Sequence, residues 1–259
     1  MKMRIKQIIN TIEEFAPLAL QEDFDNSGLQ VGDVSQKLQG ILLCLDVTPE
    51  VIDEAIELDC NLIISHHPLL FRPLRTLTGQ TYIERCVIKA CKNDLVIYAA
   101  HTNLDNAWGG MNFYLAEKIG LQNIRFLKPT ELGGSGSIGE LVAPEEEESF
   151  LERIRDIFQL KSLQHSPFTG KMIQEVALCG GSGAFLIPNA LEAGADVFLT
   201  GEARYNDYYD VEDHLLLAVL GHYETEHYTK EVFFDVISKK IPNFAIHFSN
   251  ANTNPVNYM

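Results

Sequence analysis

The chain has 259 residues, 46% of them hydrophobic and 22% charged, an ordinary composition for a globular protein with one large domain or two smaller ones. Its formal net charge of −16 disfavours nonspecific nucleic-acid binding, because that needs a cationic face, but it still allows a small anionic substrate. No apolar run approaches the ~18 residues of a membrane span, and the N-terminus lacks the apolar core of a signal peptide. We therefore expect a cytoplasmic protein with no membrane partner.

The N-terminal part of the chain predicts alternating helices and strands. Apolar residues at positions 5, 8, 9, 12 and 15 recur at helical spacing, and a turn-rich loop follows at residues 22–33. The next predicted elements are strand 40–45, helix 48–58, strand 62–65, helix 82–92 and strand 95–100. Thr48 as N-cap and Pro49 in the first turn mark the start of helix 48–58. The strands are almost continuously apolar, which is typical of a parallel sheet covered on both faces.

The second part repeats this plan after a middle segment. Residues 131–137 are predicted to be flexible or turn-rich, and residues 145–157 to form a helix whose acidic first turn suits the helix dipole. The later elements are a strand end at 178–179, helix 184–193, strand 196–200, a weak helix at 208–213, strand 215–220, helix 225–239 and strand 244–248.

The two parts can be superposed without a gap by shifting Cys44 onto Cys179, an offset of 135 residues. Five identities result, and in each part the next strand is followed by a histidine with a carboxylate four residues on. We interpret this pattern as an internal duplication. It predicts an α/β fold of two related lobes, residues 1–128 and 173–259, whose mostly parallel sheets face a central cleft, with residues 129–172 as a short connecting segment.

The chain has five cysteines, an odd number, and no C-x-x-C pair. Because most of them sit in apolar contexts, the sequence predicts buried free thiols. They are Cys44, Cys60, Cys86, Cys91 and Cys179.

Three segments that follow predicted strands carry candidate metal ligands. They are His66-His67, His101 with Asp105, and His222 with Glu226. In open parallel sheets, ligands bind beyond the carboxyl ends of the strands, so these side chains can converge if the lobes face each other. Nitrogen and oxygen donors without thiolate suit Zn, Mn, Fe, Co or Ni rather than Ca or Mg. Five or six such donors favour two ions that share a carboxylate.

Each of these motifs also has an ordinary structural interpretation. A His and a Glu four residues apart on a helix are often a surface pair, and His101 or Asp105 alone could cap a turn. The glycine-rich segment 179–183 could cradle a phosphate or pack a strand tightly against a helix. Glu202 could orient a ligand or act as a general base. The remaining histidines show no comparable placement and are predicted to be ordinary: His165, His214, His227 and His247.

Residues 65–68 (SHHP), 101–105 (HTNLD) and 221–226 (GHYETE) resemble the three signature motifs of the Nif-three-like family, whose members are often labelled homologues of the type 2 GTP cyclohydrolase. Residues 25–30 (DNSGLQ) and 200–202 (TGE) resemble two further motifs, so the resemblance covers nearly the whole chain. Two features depart from the family pattern. Phe24 stands where a Trp is common, and residues 203–207 lack a histidine often found there.

The resemblance implies the Nif-three-like fold and a ring-shaped homohexamer. It implies two divalent metal ions per chain, with Glu226 as the bridging carboxylate and His101 lining the site. The implied metal ligands are His66, His67, Asp105, His222 and Glu226.

The function that this implies is a divalent-metal-dependent hydrolase acting on a small molecule with a nucleotide-like ring or amide, with GTP cyclohydrolase-type ring hydrolysis as its specific form. A pocket carboxylate or histidine would move the proton, and His101 and Glu202 are the candidate catalytic residues. The alternative is a non-enzymatic metal-binding scaffold or regulatory protein.

Overall fold

The computed structural model describes residues 3–259, and the chain divides into two compact units. Of the described residues, unit 1 comprises 3–104 and Tyr228–Pro255, and unit 2 comprises Asp105–His227 and Val256–Met259. The chain therefore passes from one unit to the other after residues 104, 227 and 255. The duplicated lobes 1–128 and 173–259 stay a prediction.

Unit 1 is built around one five-stranded sheet. Its elements are α1 (Ile5–Phe15), β1 (Gly28–Val31), β2 (Ile41–Cys44), α2 (Pro49–Glu57), β3 (Leu62–Ser65), α3 (Tyr82–Lys92), β4 (Val96–Ala99), α10 (Thr229–Ser238) and β11 (Ile246–Phe248). The strand order is β1-β4-β3-β2-β11, and every neighbouring pair is parallel except β1 with β4. All residues of β2, β3 and β4 are buried, which confirms the sheet covered on both faces.

The helix starts of unit 1 agree with their capping residues. The Thr48 side chain accepts a hydrogen bond from Val51 N at the start of α2, and Thr81 accepts one from Glu84 N at the start of α3. The prediction for residues 82–92 is confirmed at both ends. Among the described residues, no helix is both long enough and apolar enough to cross a membrane.

Unit 2 is built around one six-stranded sheet. Its elements are α5 (Met111–Ile119), β5 (Gln122–Pro129), β6 (Gly134–Glu146), α6 (Glu147–Ile157), β7 (Gln164–His165), β8 (Met172–Cys179), α7 (Ile187–Glu192), β9 (Val197–Thr200), α8 (Asp207–Asp210), β10 (Leu216–Val219) and α9 (His222–Glu226). The strand order is β5-β6-β8-β9-β10-β7. Strands β8, β9 and β10 are mutually parallel, and antiparallel strands extend this core on both sides. A further short helix, α4 (Thr102–Asp105), spans the passage between the units.

Three sequence predictions were wrong in detail. Residues 131–137 are not a flexible segment, because most of them belong to the long strand β6. The glycines there mark close packing: a Cβ at Gly134 would lie 2.6 Å from Cγ of Phe126 on β5. The predicted helix 225–239 is split into α9 and α10 around residues 227–228, and the turn-rich loop 22–33 contains strand β1.

The register of the parallel strands supports the proposed duplication. In unit 1, Cys44 of β2 pairs with Ser65 of β3, and in unit 2, Cys179 of β8 pairs with Thr200 of β9. Both pairs are related by the same offset of 135 residues that aligns the two parts of the sequence. The β-α-β unit is therefore repeated at the level of strand register as well as at the level of residue identity.

Candidate metal centre

In unit 1, the carboxyl ends of three neighbouring parallel strands carry polar side chains. His66 and His67 follow β3 directly, Asp46 lies two residues beyond β2, and His101 lies two residues beyond β4. Because β2, β3 and β4 are adjacent and parallel, these side chains emerge at the same edge of the sheet.

The three imidazoles of this edge form one group. The ring centroid of His66 lies 5.1 Å from that of His67 and 5.1 Å from that of His101, and the His67 and His101 centroids are 5.5 Å apart. One ligand atom from each ring can be chosen so that all three lie within 4.8 Å of one another. The histidines of the segments at 66–67 and 101 therefore lie together at this edge.

Each of these histidines has its Nδ1 atom fixed by an oxygen. His66 Nδ1 lies 2.9 Å from the carbonyl oxygen of Ala100, His67 Nδ1 lies 2.7 Å from Asp46 Oδ1, and His101 Nδ1 lies 2.8 Å from Asp25 Oδ1. A carbonyl or ionised carboxylate only accepts, so Nδ1 must carry the proton. In the neutral ring, Nε2 then holds the lone pair that a metal ion requires.

The two carboxylates that fix His67 and His101 are held in turn. Thr253 Oγ1 donates to Asp46 Oδ2 over 2.8 Å. Burial of Asp25 opposes its ionisation, but the hydrogen bonds from His101, Thr102 and Ser27 outweigh this effect and keep the pKa of the carboxyl well below its ordinary value. Asp25 is therefore ionised and orients the His101 ring.

In unit 2, His222 lies between two carboxylates. Its Nδ1 is 2.8 Å from Glu202 Oε1, and its Nε2 is 2.8 Å from Glu226 Oε2. His222 and Glu226 begin and end α9, so their i, i+4 spacing places both on one face of the helix. Glu226 is 5% exposed, whereas Glu202 is exposed and also accepts a hydrogen bond from Ser182 Oγ.

The glycine-rich segment 179–183 packs directly against this group. A Cβ at Gly181, whose φ is +58°, would lie 2.0 Å from Glu226 Oε1, and a Cβ at Gly201 would lie 2.9 Å from the Cα of His222. Gly181 N also donates to the Thr225 hydroxyl over 3.0 Å. Of the two interpretations of the segment, close packing is the one that these distances support.

Asp105 and two of the histidines predicted to be ordinary have different surroundings. Asp105 is the last residue of α4 and is half-buried, and its assignment as a ligand stays a prediction. His165 stacks on Phe168, and His227 stacks on Tyr223. Asp46 and Thr253 were not predicted from the sequence, and Asp25 was predicted only as part of a motif. The available signal for Asp46 was its place just beyond a parallel strand.

The donor chemistry fits a divalent transition metal. The groups offer imidazole nitrogen and carboxylate oxygen, and each of the four histidines has the Nδ1 partner that metal-binding histidines commonly have. These buried and half-buried His and Glu groups could hold a metal ion.

Comparison with known proteins gives a consistent assignment. The family model described as Duf34/NIF3 (NGG1p interacting factor 3) matches residues 3–255. A protein of Clostridium acetobutylicum named GTP cyclohydrolase 1 type 2 homolog is 36% identical over 98% of this chain and 94% of its own length. A protein of the same name from Clostridium perfringens is 37% identical over 86% of this chain and 87% of its own. The crystal structure of a Bacillus cereus protein related to NIF3 superposes with a TM-score of 0.92 at 26% identity and covers 100% of this chain and 99% of that one.

Proposed function

The chain belongs to the DUF34/NIF3 family, and from that premise we propose that it is a divalent-metal-dependent hydrolase with a dinuclear centre that acts on a nucleotide-like ring. The proposed metal ligands are His66, His67, Asp105, His222 and Glu226. The names of the relatives support a small-molecule substrate of the GTP cyclohydrolase type.

One observation carries this proposal. At each proposed histidine ligand, Nδ1 is engaged by an oxygen, so that in the neutral ring the lone pair that binds a cation is on Nε2. The contact between His222 Nε2 and Glu226 Oε2 needs a proton between the two atoms, and a divalent cation can take the place of that proton. Glu226 has two oxygens and is buried, which suits a carboxylate shared by two ions.

Bound divalent ions would supply an activated water and polarise the carbon that is attacked. The residues of the chain would orient and transfer protons around that reaction. Asp25 holds the His101 ring through Nδ1, so His101 Nε2 is the candidate atom for moving a proton during turnover. Glu202 contacts His222 Nδ1, which supports a positioning role for Glu202 in addition to the proposed catalytic one.

Elemental analysis of protein purified without added metal tests the two-metal centre. We expect about two ions per chain in the wild type, and a clear loss in His67→Ala and Glu226→Ala, because each removes a proposed ligand. His247→Ala and Glu192→Ala are the matched controls, since they remove a half-buried histidine and an exposed carboxylate away from the two groups. Fewer than about one ion per chain in the wild type would contradict the proposal.

Incubation of the metal-loaded protein with GTP and related purines tests the reaction. We expect ring-opened product with at least one of Mn, Zn, Fe and Co, and none with Glu226→Ala. Tight metal binding without turnover of any purine across these four metals would reject the hydrolase. It would support instead the alternative of a non-enzymatic metal-binding scaffold or regulatory protein.

A further inference from the structure

The connection between β3 and α3 is unusually long for a strand-to-helix passage. It runs over residues 66–81, whereas such connections in α/β units have about 2–6 residues. His66 and His67 account only for its beginning. Long ordered connections in compact domains commonly carry binding functions, so the rest of this segment needs an explanation.

Both ends of the connection are fixed to the body of unit 1. Near its start, Leu70 N donates to Gln30 Oε1 over 3.1 Å, and Asn26 Nδ2 donates to Leu70 O over 2.7 Å. Near its end, the Glu84 carboxylate accepts hydrogen bonds from Thr78 N over 2.8 Å and from Gln80 N over 3.1 Å. The part between these anchors, residues 71–75, is therefore held in place although all of it is exposed. We call residues 71–75 the tip.

The tip brings an aromatic ring to the histidine group. The Phe71 centroid lies 6.1 Å from that of His101, with the rings at 83°. Phe24 packs edge-on against Phe71 with centroids 6.4 Å apart, and the two side chains are 67% and 43% exposed, respectively. A solvent-exposed pair of phenyl rings beside a polar group offers a stacking surface for a planar ring.

The tip also brings positive charge. Arg72 and Arg75 are exposed, and neither forms an ion pair or a side-chain hydrogen bond within residues 3–259. These two guanidinium groups lie within four residues of an aromatic side chain. They give the tip positive charge, although the formal net charge of the chain is −16. The planar guanidinium fork matches phosphate oxygens in charge and geometry.

We infer that the tip is the substrate-recognition element of the proposed hydrolase: Phe71 packs against a planar heteroaromatic ring, and Arg72 and Arg75 bind the phosphate groups attached to it. The inference rests on the proposed function and narrows its substrate to a phosphorylated purine-like compound. Phe71 determines specificity for the ring, and the two arginines determine specificity for the anionic tail. None of the three takes part in the bond-breaking step.

Calorimetric titration of the metal-loaded protein with GTP, guanosine and inorganic tripolyphosphate separates these roles, with the phosphate ligands supplied as magnesium salts so that they do not strip bound metal. Phe71→Ala should weaken GTP and guanosine binding about tenfold and leave tripolyphosphate unchanged, because only the stacking surface is lost. Arg72→Ala combined with Arg75→Ala should weaken GTP and tripolyphosphate binding about tenfold or more and leave guanosine unchanged. The ligand that each variant still binds normally shows that the variant is folded.

Two variants away from the tip are the controls. Phe168→Ala removes an exposed phenyl ring that stacks on His165, and Arg155→Ala removes an exposed arginine of α6; both should bind all three ligands as the wild type does. The inference is overturned if the Phe71 and arginine variants also bind like the wild type. It is equally overturned if Phe71→Ala changes the number of subunits in light scattering rather than ligand affinity, because the tip would then be a contact between copies of the chain.

The same variants distinguish this inference from the proposed function. GTP turnover that is unaffected by changes at the tip would reject the role of the tip alone. Ring-specific and phosphate-specific losses of binding in a protein that never turns GTP over would support the tip as a nucleotide-binding element and reject the hydrolase.

Discussion

The oxygen atoms that engage Nδ1 decide which nitrogen of each histidine could bind a metal ion. At His67 the deciding oxygen belongs to Asp46, and at His101 it belongs to Asp25. Both carboxylates accept further hydrogen bonds from hydroxyl groups, so each ring is oriented through two successive contacts. The properties of the candidate centre therefore depend on residues well separated from the histidines in sequence, which single substitutions can test.

Thr253 is the clearest such residue, because its hydroxyl holds Asp46 and it lies in the C-terminal segment that follows β11. Thr253→Val keeps the shape of the side chain and removes the donor. We expect metal affinity, measured by competition with a fluorescent chelator, to fall about tenfold. Thr253→Ser restores a hydroxyl and should bind metal nearly as the wild type does. Equal affinities for the Val and Ser variants would show that this hydrogen bond does not support the centre.

Gly181 tests the packing around Glu226. Gly181→Ala places a Cβ 2.0 Å from Glu226 Oε1 at a φ of +58°, so we expect a loss of about 3 kcal/mol in the free energy of unfolding, from overpacking and backbone strain together. Gly170→Ala is the matched control: its φ is +75°, but no atom lies within 4 Å of the added carbon, so only about 1 kcal/mol should be lost. Urea unfolding with a chelator present measures both. Equal losses would mean that the Glu226 contact adjusts without cost.

At the scale of elements, the β3–α3 connection shows how a long segment is kept ordered without helix or strand. Glu84, in the first turn of α3, accepts hydrogen bonds from both the backbone and the hydroxyl of Thr78. The backbone N–H of Thr78 contributes most to keeping the pKa of the Glu84 carboxyl at about 2, and the Thr78 hydroxyl, Gln80 N and the Thr76 hydroxyl act in the same direction against the effect of burial. The end of the connection is therefore held by hydrogen bonds to an ionised carboxylate.

The hydrogen bonds to the Glu84 carboxylate predict that the free energy of unfolding falls at acidic pH. The pKa of Glu84 is lower in the folded chain than its ordinary value of 4.5, so the carboxylate stabilises the fold fully above pH 4.5 and loses this effect as the pH falls towards about 2. Glu84→Gln should thus unfold at lower urea than the wild type at pH 7, and the difference should shrink steadily below pH 4.5. Glu57→Gln, which changes an exposed carboxylate at the end of α2, is the control and should show no such trend. A difference that is constant with pH would contradict the role of the charge.

The elements that could be predicted from the sequence are those whose signals are local. Strand β3 is a short run of apolar residues and α3 is a continuous helical segment, and both were placed at their observed bounds. The start of strand β6 could not be predicted, because glycines in sequence indicate a loop. Only the structure shows that Gly134 is needed for the close approach of Phe126. The histidine motifs could likewise be recognised in the sequence. The contact of Asp46 with His67 could not, because it depends on the sheet order that places β2 beside β3. What was missed depends on contacts between residues far apart in the chain.

At the scale of the whole molecule, both units bury thiols in their cores. Cys44, Cys60 and Cys86 are buried in unit 1 and Cys179 in unit 2, as the sequence predicted, while Cys91 is exposed. All five are free. Burial raises the pKa of the Cys60 and Cys86 thiols from 9.0 to about 11, and it raises that of Cys44 as well. The reactivity of the thiols therefore reports on how completely the two cores are closed.

We expect a thiol-specific chromogenic disulfide to label one cysteine per native chain at neutral pH, and all five in urea. Only Cys91 is accessible, and a rise in thiol pKa by two units lowers the thiolate fraction about a hundredfold even where reagent reaches the sulfur. Cys91→Ser should abolish rapid native labelling and leave the slow phase that accompanies unfolding, which is measured by following absorbance with time. Cys60→Ser is the matched control, because it removes a buried thiol and should leave the rapid phase unchanged. Two or more rapid equivalents in the native wild type would mean that at least one core opens to solvent without unfolding of the molecule.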